Sequence, residues 1–414
     1  MLDIQFIRDN AELVQRKTNE KGYKIAINEL LEVDAERRAK LTEIEALRAE
    51  RNQLSAAMKG GRPSDDQLEQ GKQLKETIAE KEAALVAIDT TYNDLLGQIP
   101  NVTADDVPLG GEENSVEIKQ IGGQPTGARD HLDYATERGW LDFERGTKVA
   151  GAKFYYVKGD LALLENALTQ FALDFVTKRG FTFMTVPHMV NSRTMTGTGF
   201  APRTSEQSDE YAVEGEDLSL IATAEIPLTG YHADEIIDEK DLPLKYVALS
   251  PCYRKEAGAY GKHTRGLFRV HQFNKLEMYV YSTPEQSVQL HEEILAIEEA
   301  LWQLVGIPYH VINIAAGDLG APATKKYDIE YWSPVDEKYR ELTSCSNCTD
   351  FQARNLNIRV RRSDGRVEVL HTLNGTAVSL ARSLVVLLEH FQNPDGSLTV
   401  PEVLRPYMGG RSKL

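Results

Sequence analysis

The sequence predicts an α+β fold, an antiparallel β-sheet backed by helices and preceded by an antiparallel helical hairpin. Glycine and proline are nearly absent from about residue 27 to 99, except at KGGRPSDD (59–66). Beyond residue 120 they are spread as in a mixed domain, and strand-like stretches cluster instead of alternating with helices. With 41% hydrophobic and 27% charged residues, a chain of 414 residues has the composition of a globular protein of two domains.

The hairpin comes first. Leu74, Ile78, Lys81, Leu85, Ile88, Tyr92, Leu95 and Ile99 follow a heptad, while Ile27, Leu30, Leu41, Ile44, Leu47, Leu54 and Met58 form a broader stripe. Two helices joined by a Gly-Gly-Arg-Pro turn read as an antiparallel coiled coil. Each arm of roughly 30 residues spans about 45 Å and is expected to project. Such a hairpin fits a dimerisation or spacer element. Basic residues strewn toward its tip, among them Arg37, Arg38, Lys40, Arg48, Arg51, Lys59, Arg62, Lys72 and Lys75, also suit a phosphate backbone, although acids are interleaved.

IPNVTADDVPLGGEENS (99–115) is rich in turn formers and acids and reads as a linker, so the expected domains are 1–99, a linker at 100–120, and 121–414. In the second domain VALSPCYR, LFRVHQFNKLEMYVY, YHVINIAA, YDIEYW and RVEVLHTLN read as strands. ALLENALTQFALDFVTKRG, SVQLHEEILAIEEALWQLVG and GTAVSLARSLVVLLEHF read as helices, the first two stopping at Gly180 and Gly306. No stretch of about eighteen apolar residues occurs, and MLDIQFIRDN lacks a signal-peptide profile. Three cysteines are too few for a disulfide scaffold, so a reducing cytoplasm is expected.

The formal charge of −16 argues against broad nonspecific nucleic-acid binding, yet residues 253–277, YRKEAGAYGKHTRGLFRVHQFNKLE, hold Arg254, Lys255, Lys262, Arg265, Arg269 and Lys275 against two acids, Glu256 and Glu277. Written as a strand, FRVHQFNKLEMY puts Arg269, His271, Phe273, Lys275, Glu277 and Tyr279 on one face. Cation, ring and carboxylate then stand about 13 Å apart. Arg254 and Glu256 share a face one strand earlier. An alternating charged strand also fits a solvent-facing surface. Arg382, however, is the lone cation among small and apolar residues from Ala377 to Leu388, and a guanidinium there needs an anion. That partner is either a structural carboxylate or a polyphosphate, which guanidinium forks suit.

An F/YRxE element, a loop, RVHQFxKxE, and a segment opening NGT with a lone arginine together resemble motifs 2 and 3 of class II aminoacyl-tRNA synthetases, and within them the bacterial-type seryl-tRNA synthetases. The likeness extends through the hairpin, the IPN linker, residues 131–168, TAE (223–225), ELTSCSNCTDFQARNLNIR (341–359) and VPEVLRPYMGG (400–410). It implies that L-serine and ATP give seryl-adenylate, and that serine then passes to the terminal adenosine of tRNA(Ser) or, where the host has it, tRNA(Sec). For ATP it implies Arg254 on the α-phosphate and serine carboxylate, and Glu256 on the adenine amino group. Phe273 would lie against the ring, Val270 beside the nucleotide, and Arg269 and Arg382 on the phosphate tail; Lys255 is carried over with its neighbours. Glu341, Leu342, Thr343 and Ser344 form the E-x-x-S element, whose ends would hold Mg²⁺ with ATP. For serine it implies Thr223, Ala224, Glu225, Arg254 and Glu277, with Thr376 at the start of the last helix on the hydroxyl and Asn374 nearby. The segment through Pro187 resembles motif 1 and implies a homodimer. Arg37, Arg38, Lys40, Arg48 and Arg51 would meet tRNA. TGTGFAPRTSEQSDEYAV (196–213) suits a flap.

CSNC (345–348) has half a zinc site's spacing, but Cys252 is the only further cysteine, so no protein-bound metal is expected. Two rivals stand beside this reading. One is a tRNA-independent synthetase paralogue loading a carrier protein, which usually lacks the arm; the other is a coiled-coil scaffold that merely binds nucleotide.

Overall fold

The computed structural model describes residues 1–60, 63–200, 210–256 and 265–414. Arg62 in the hairpin turn, residues 201–209 of the flap, and the connection bearing Lys262 lie outside the described residues. The chain divides into two compact units, Met1–Pro100 and Asn101–Leu414.

In the first unit two short helices, Ile4–Asp9 and Ala11–Glu20, precede α1 (Ile27–Ala57) and α2 (Asp65–Gln98). Ser64 starts α2 with a capping box: its hydroxyl accepts from the Gln67 amide at 3.2 Å, and the Gln67 side chain accepts from the Ser64 amide at 3.0 Å. Ion pairs fix the direction of the two arms. Arg37 meets Asp89, Glu43 meets Lys81 and Arg48 meets Glu82, so rising positions on α1 face falling ones on α2, as expected of an antiparallel pair. Ile44, Leu74, Ile78 and Tyr92 are buried in the seam. Lys81 occupies a heptad position half-buried, with its ammonium 2.5 Å from Glu43, which lets its stem cover apolar surface. At the end of α2 the fully buried position is Leu96 instead of Leu95, because an α-helix drifts about 20° per heptad from a strict repeat.

The second unit is built on a sheet whose eight strands among the described residues are numbered in chain order. They are β1 (Val116–Ile121), β2 (Thr182–Met184), β3 (Leu244–Tyr253), β4 (Gln272–Ser282), β5 (Tyr309–Asn313), β6 (Lys325–Ser333), β7 (Lys338–Thr349) and β8 (His371–Ser379). Their order is β1-β5-β6-β7-β8-β4-β3-β2, antiparallel throughout except for β2 against β3. Three helices, α3 (Gly159–Thr177), α4 (Ser287–Val305) and α5 (Leu380–His390), contribute to the main apolar core. Strand alternation separates the faces of β4. Leu276, Met278 and Val280 enter that core, whereas Tyr279 and Tyr281 join a second cluster with Ala224, Leu228 and Ile358. Helix α4 ends with Gly306 in the left-handed region at φ 90°, as its position after the periodic stretch predicts.

Three elements differ from expectation. The strand through FRVHQF begins only at Gln272; residues 266–268 form a 3₁₀ turn, and Arg269 and His271 precede the ladder. The last helix begins at Leu380, not Gly375, because Gly375–Ser379 completes β8. A Cβ on Gly375 would come within 2.3 Å of Ile294 Cγ2, so this strand lies close against α4. Strand β7 was not expected, since its Ser, Cys, Asn and Thr residues show no hydrophobic alternation. The segment read as a linker is held in the second unit. Asn101 is buried and donates to the Pro322 and Cys348 carbonyls at 2.8 and 2.9 Å, and β1 pairs with β5. Among the described residues no helix is long and apolar enough to cross a membrane.

Candidate active site

Two adjoining cavities open on the second unit. The first is lined by Arg254, Glu256, Phe268, Val270, Phe273, Lys275, the stretch Glu341–Ser344, Thr376 and Arg382. The second is lined by Thr223, Glu225, Glu277, Lys326, Ser346, Cys348 and Asn374, and shares Arg254, Lys275, Glu341 and Ser344 with the first. Residues far apart in sequence meet here because β3, β4, β8 and β7 are neighbours in the sheet.

In and beside the first cavity, Arg382 and Arg269 are each paired with an acid, whereas Arg254 faces an aromatic ring. Arg382 Nη1 lies 3.0 Å from Glu341 Oε2 and donates to the Glu341 carbonyl at 3.3 Å. Of the two partners the sequence leaves open for Arg382, the structure thus supplies a carboxylate, at the edge of a cavity. Arg269 Nη1 meets Glu256 Oε2 at 2.7 Å on the rim. The Arg254 guanidinium lies 5.3 Å from the centre of the Phe273 ring, and the Arg254 amide donates to the His271 carbonyl at 3.0 Å. Arg254 and Glu256 therefore stand just past the end of β3, and Glu256 adopts φ 50° to reach Arg269. Burial pushes the Glu341 carboxyl up, but Arg382 and Lys326 more than offset this, so it titrates below the usual carboxylate range.

The second cavity holds carboxylates of different character. Glu277, on β4, is 2.5 Å from Lys275 Nζ and accepts from the Thr376 hydroxyl at 3.4 Å. A bulge between β4 and β8 creates that meeting by placing Thr376 opposite Glu277. Glu225, at the start of a short buried helix, takes hydrogen bonds on Oε1 from Gln352 at 2.8 Å and Asn374 at 2.9 Å. Burial, and then the neighbouring charge of Glu277, push the Glu225 carboxyl up to about 7. Asp328, buried behind Lys326 at 3.2 Å, is pushed up by burial although Lys326 opposes it.

Three expected residues line neither cavity, among them Arg269, which pairs with Glu256. Lys255 is exposed, with Nζ 5.7 Å from the centre of the Tyr211 ring, and Ala224 packs in the second apolar cluster. Thr376 and Asn374 reach the site from a strand and not from a helix start. The CSNC cysteines sit on β7, where a separation of three sends them to opposite faces. Cys345 belongs to the main core, and Cys348 lines the second cavity. Among the described residues no group of three or more His, Cys, Asp or Glu could hold a metal. Sequence reasoning missed Lys326, Asp328 and Gln352. The first two alternate along KKYDIEYW, a usable signal, whereas Gln352 shows itself only through tertiary contacts.

Family models match two regions: a seryl-tRNA synthetase N-terminal domain over residues 1–103, and the class II tRNA synthetase core domain (G, H, P, S and T) over 209–391. The serine–tRNA ligase of Dictyoglomus thermophilum is 45% identical over 99% of this chain and 98% of its own. That of Treponema denticola is 43% identical over 99% of both chains. Among solved structures, a Pyrococcus horikoshii seryl-tRNA synthetase complexed with ATP aligns with a TM-score of 0.91 at 42% identity. The alignment covers 100% of this chain and 99% of that one.

Proposed function

The chain belongs to the seryl-tRNA synthetases of class II, and from that premise we propose how its residues activate L-serine with ATP and pass it to tRNA(Ser). The observation that carries the reading is the pair of adjoining cavities sharing Arg254, Lys275, Glu341 and Ser344. One suits a nucleotide and the other a small amino acid.

A serine carboxylate oxygen attacks the α-phosphorus, the bond to the bridging oxygen breaks, and pyrophosphate leaves. No protein nucleophile is required; the chain must neutralise charge and align two anions. Arg254, which borders both cavities, brings the carboxylate and the α-phosphate together. Phe273 supports the adenine, Val270 lies beside the nucleotide and Glu256 reads the amino group. Arg382 and Arg269 take the phosphate tail, exchanging Glu341 and Glu256 for phosphate oxygens. The carboxylate of Glu341, held ionised by Arg382 and Lys326, and the Ser344 hydroxyl are hard oxygen donors suited to the Mg²⁺ that accompanies ATP.

In the second cavity Glu225 and Glu277 hold the serine ammonium, with Thr223 beside them, and Thr376 and Asn374 recognise the hydroxyl. A cavity lined by hydroxyls and amides rejects alanine, because its polar groups would be buried unpaired. A ribose hydroxyl of the terminal adenosine of tRNA(Ser), or of tRNA(Sec) where present, then attacks the activated carbonyl and releases AMP.

The likeness of residues 1–103 to a seryl-tRNA synthetase N-terminal domain favours tRNA as acceptor over a carrier protein. Within the hairpin, Arg37, Arg38, Lys40 and Arg48 already pair with Asp89, Asp34, Glu43 and Glu82. The RNA surface therefore centres on Arg51 with the exposed Lys59, Lys72 and Lys75. We propose further that the chain is a cytoplasmic homodimer joined through α3 and the strand leading to Pro187.

Serine-dependent pyrophosphate exchange followed by serine transfer to total tRNA tests this. Exchange and transfer are both expected; exchange without transfer would favour the carrier-protein paralogue, and neither activity would refute the assignment. Arg254→Ala is expected to lower exchange by at least three orders of magnitude (about 4 kcal/mol) with the fold intact, and near-normal exchange would remove Arg254 from its role.

A further inference from the structure

Gln352 lies on the helix Phe351–Asn355 and is completely buried. Its side-chain oxygen accepts from the Tyr279 hydroxyl at 3.0 Å and the Thr372 hydroxyl at 2.7 Å. Its nitrogen donates to the Thr198 carbonyl at 3.1 Å and to Glu225 Oε1 at 2.8 Å. Both lone pairs and both N–H bonds are thus used, and the orientation is fixed by chemistry. The Thr198 carbonyl only accepts, so turning the amide over would set oxygen against oxygen there and against the Glu225 carboxylate. Two hydroxyls on the sheet hold one end, and the other end grips the carboxylate and the backbone at Thr198, beside cavity-lining Gly199 and Phe200.

We infer that Gln352 is a positioning residue for amino-acid binding, a buried amide that aims Glu225 at the ligand's ammonium and ties it to the cavity wall at Thr198. The inference rests on the amino-acid pocket proposed above. Gln352 does not line either cavity, so it acts through Glu225. Asn374 donates to the same Glu225 oxygen from β8, and the two amides together occupy Oε1, which leaves Oε2 as the atom offered to the ammonium. The charged groups acting on Glu225 are Glu277 and Lys275 on β4 and Arg254 past β3. Burial and Glu277 favour the protonated form, whereas Gln352, Lys275 and Arg254 favour the ionised form that binds an ammonium. A variant lacking the amide donor should hold Glu225 protonated to higher pH. The rise of kcat/KM for serine with pH should then move upward.

Gln352→Glu tests this, because it keeps an oxygen for Tyr279 and Thr372 and replaces the two N–H donors with an oxygen that, when ionised, repels Glu225. In pyrophosphate exchange, KM for serine is expected to rise about tenfold or more, with KM for ATP within about twofold, and the pH profile to shift upward. An unchanged KM for serine and an unmoved profile would overturn the inference, as would equal losses of serine and ATP binding, which mark a structural role. Should that variant fail to fold, Tyr279→Phe removes one hydroxyl that fixes the amide. A rise of about threefold in KM for serine alone then supports the inference, and none overturns it. A parent protein without serine-dependent exchange would instead refute the pocket itself.

Discussion

The guanidinium of Arg382 meets Glu341 twice, at the carboxylate and at the backbone carbonyl, with Nη1 distances of 3.0 and 3.3 Å. A lysine at this position would keep the charge but lose the planar fork. Arg382→Lys is therefore expected to raise KM for ATP about tenfold, the value of a charge-assisted hydrogen bond, while KM for serine changes less than about twofold, since Arg382 borders only the first cavity. Exchange kinetics with ATP and serine varied separately check this, and equal changes in both constants would contradict it. Charged residues were the legible part of the site. Arg254, Glu256, Glu277 and Arg382 stand out because a cation or carboxylate in an apolar or alternating stretch needs a reason. Their mutual pairing was not legible, because Arg269 finds Glu256 and Arg382 finds Glu341 only once strands and loops are assembled. Gln352 gave no signal at all: an uncharged amide in a mixed stretch looks like any surface glutamine until its four partners surround it.

Elements were legible where one periodicity ruled them. The heptad of α2 serves one buried face and the alternation of β4 serves two, and both elements emerge, although β4 starts only at Gln272. Strand β7 escaped notice because it is central in the sheet, and cavity chemistry replaces apolar alternation with Ser344, Ser346 and Cys348. The hairpin shows the same limit for charge. Its cations look equivalent in sequence, yet in the structure Arg37 and Arg48 bridge the two helices, whereas Arg51, Lys59, Lys72 and Lys75 make no ion pair among the described residues. Replacing these last four with alanine is expected to raise KM for tRNA and to flatten its salt dependence by about one unit of slope for each phosphate no longer neutralised. Exchange without tRNA should be unchanged. Arg37→Ala with Arg48→Ala should instead cost the hairpin about 0.2–1 kcal/mol for each surface pair and leave the salt slope nearly intact. Charging assays at several salt concentrations distinguish the two sets, and equal slopes would return the RNA surface to the paired arginines.

For the whole molecule, a formal charge of −16 means that two copies repel at long range, although physiological salt screens this beyond about 8 Å. Association must then come from apolar surface at close range. The second unit displays such surface on the segment that resembles motif 1: Leu163 on α3 is 53% exposed, and Phe183 on β2 and Met189 are exposed with it. Strand β2 ends the sheet order and hydrogen-bonds only to β3 among the described residues, so its outer edge is open to pairing as well. Leu163→Glu would put a carboxylate into the proposed interface while leaving the isolated fold within about 0.5 kcal/mol, since the position is exposed in the single chain. Sedimentation velocity should show a dimer for the parent and a monomer for the variant at micromolar concentration, with helix content by circular dichroism unchanged. Burial of one leucine contributes about 1.5–3 kcal/mol at each of two symmetric positions, so the dimer should weaken by two orders of magnitude or more. A parent protein that sediments as a monomer would remove the interface, and a variant that stays dimeric would move it to another face.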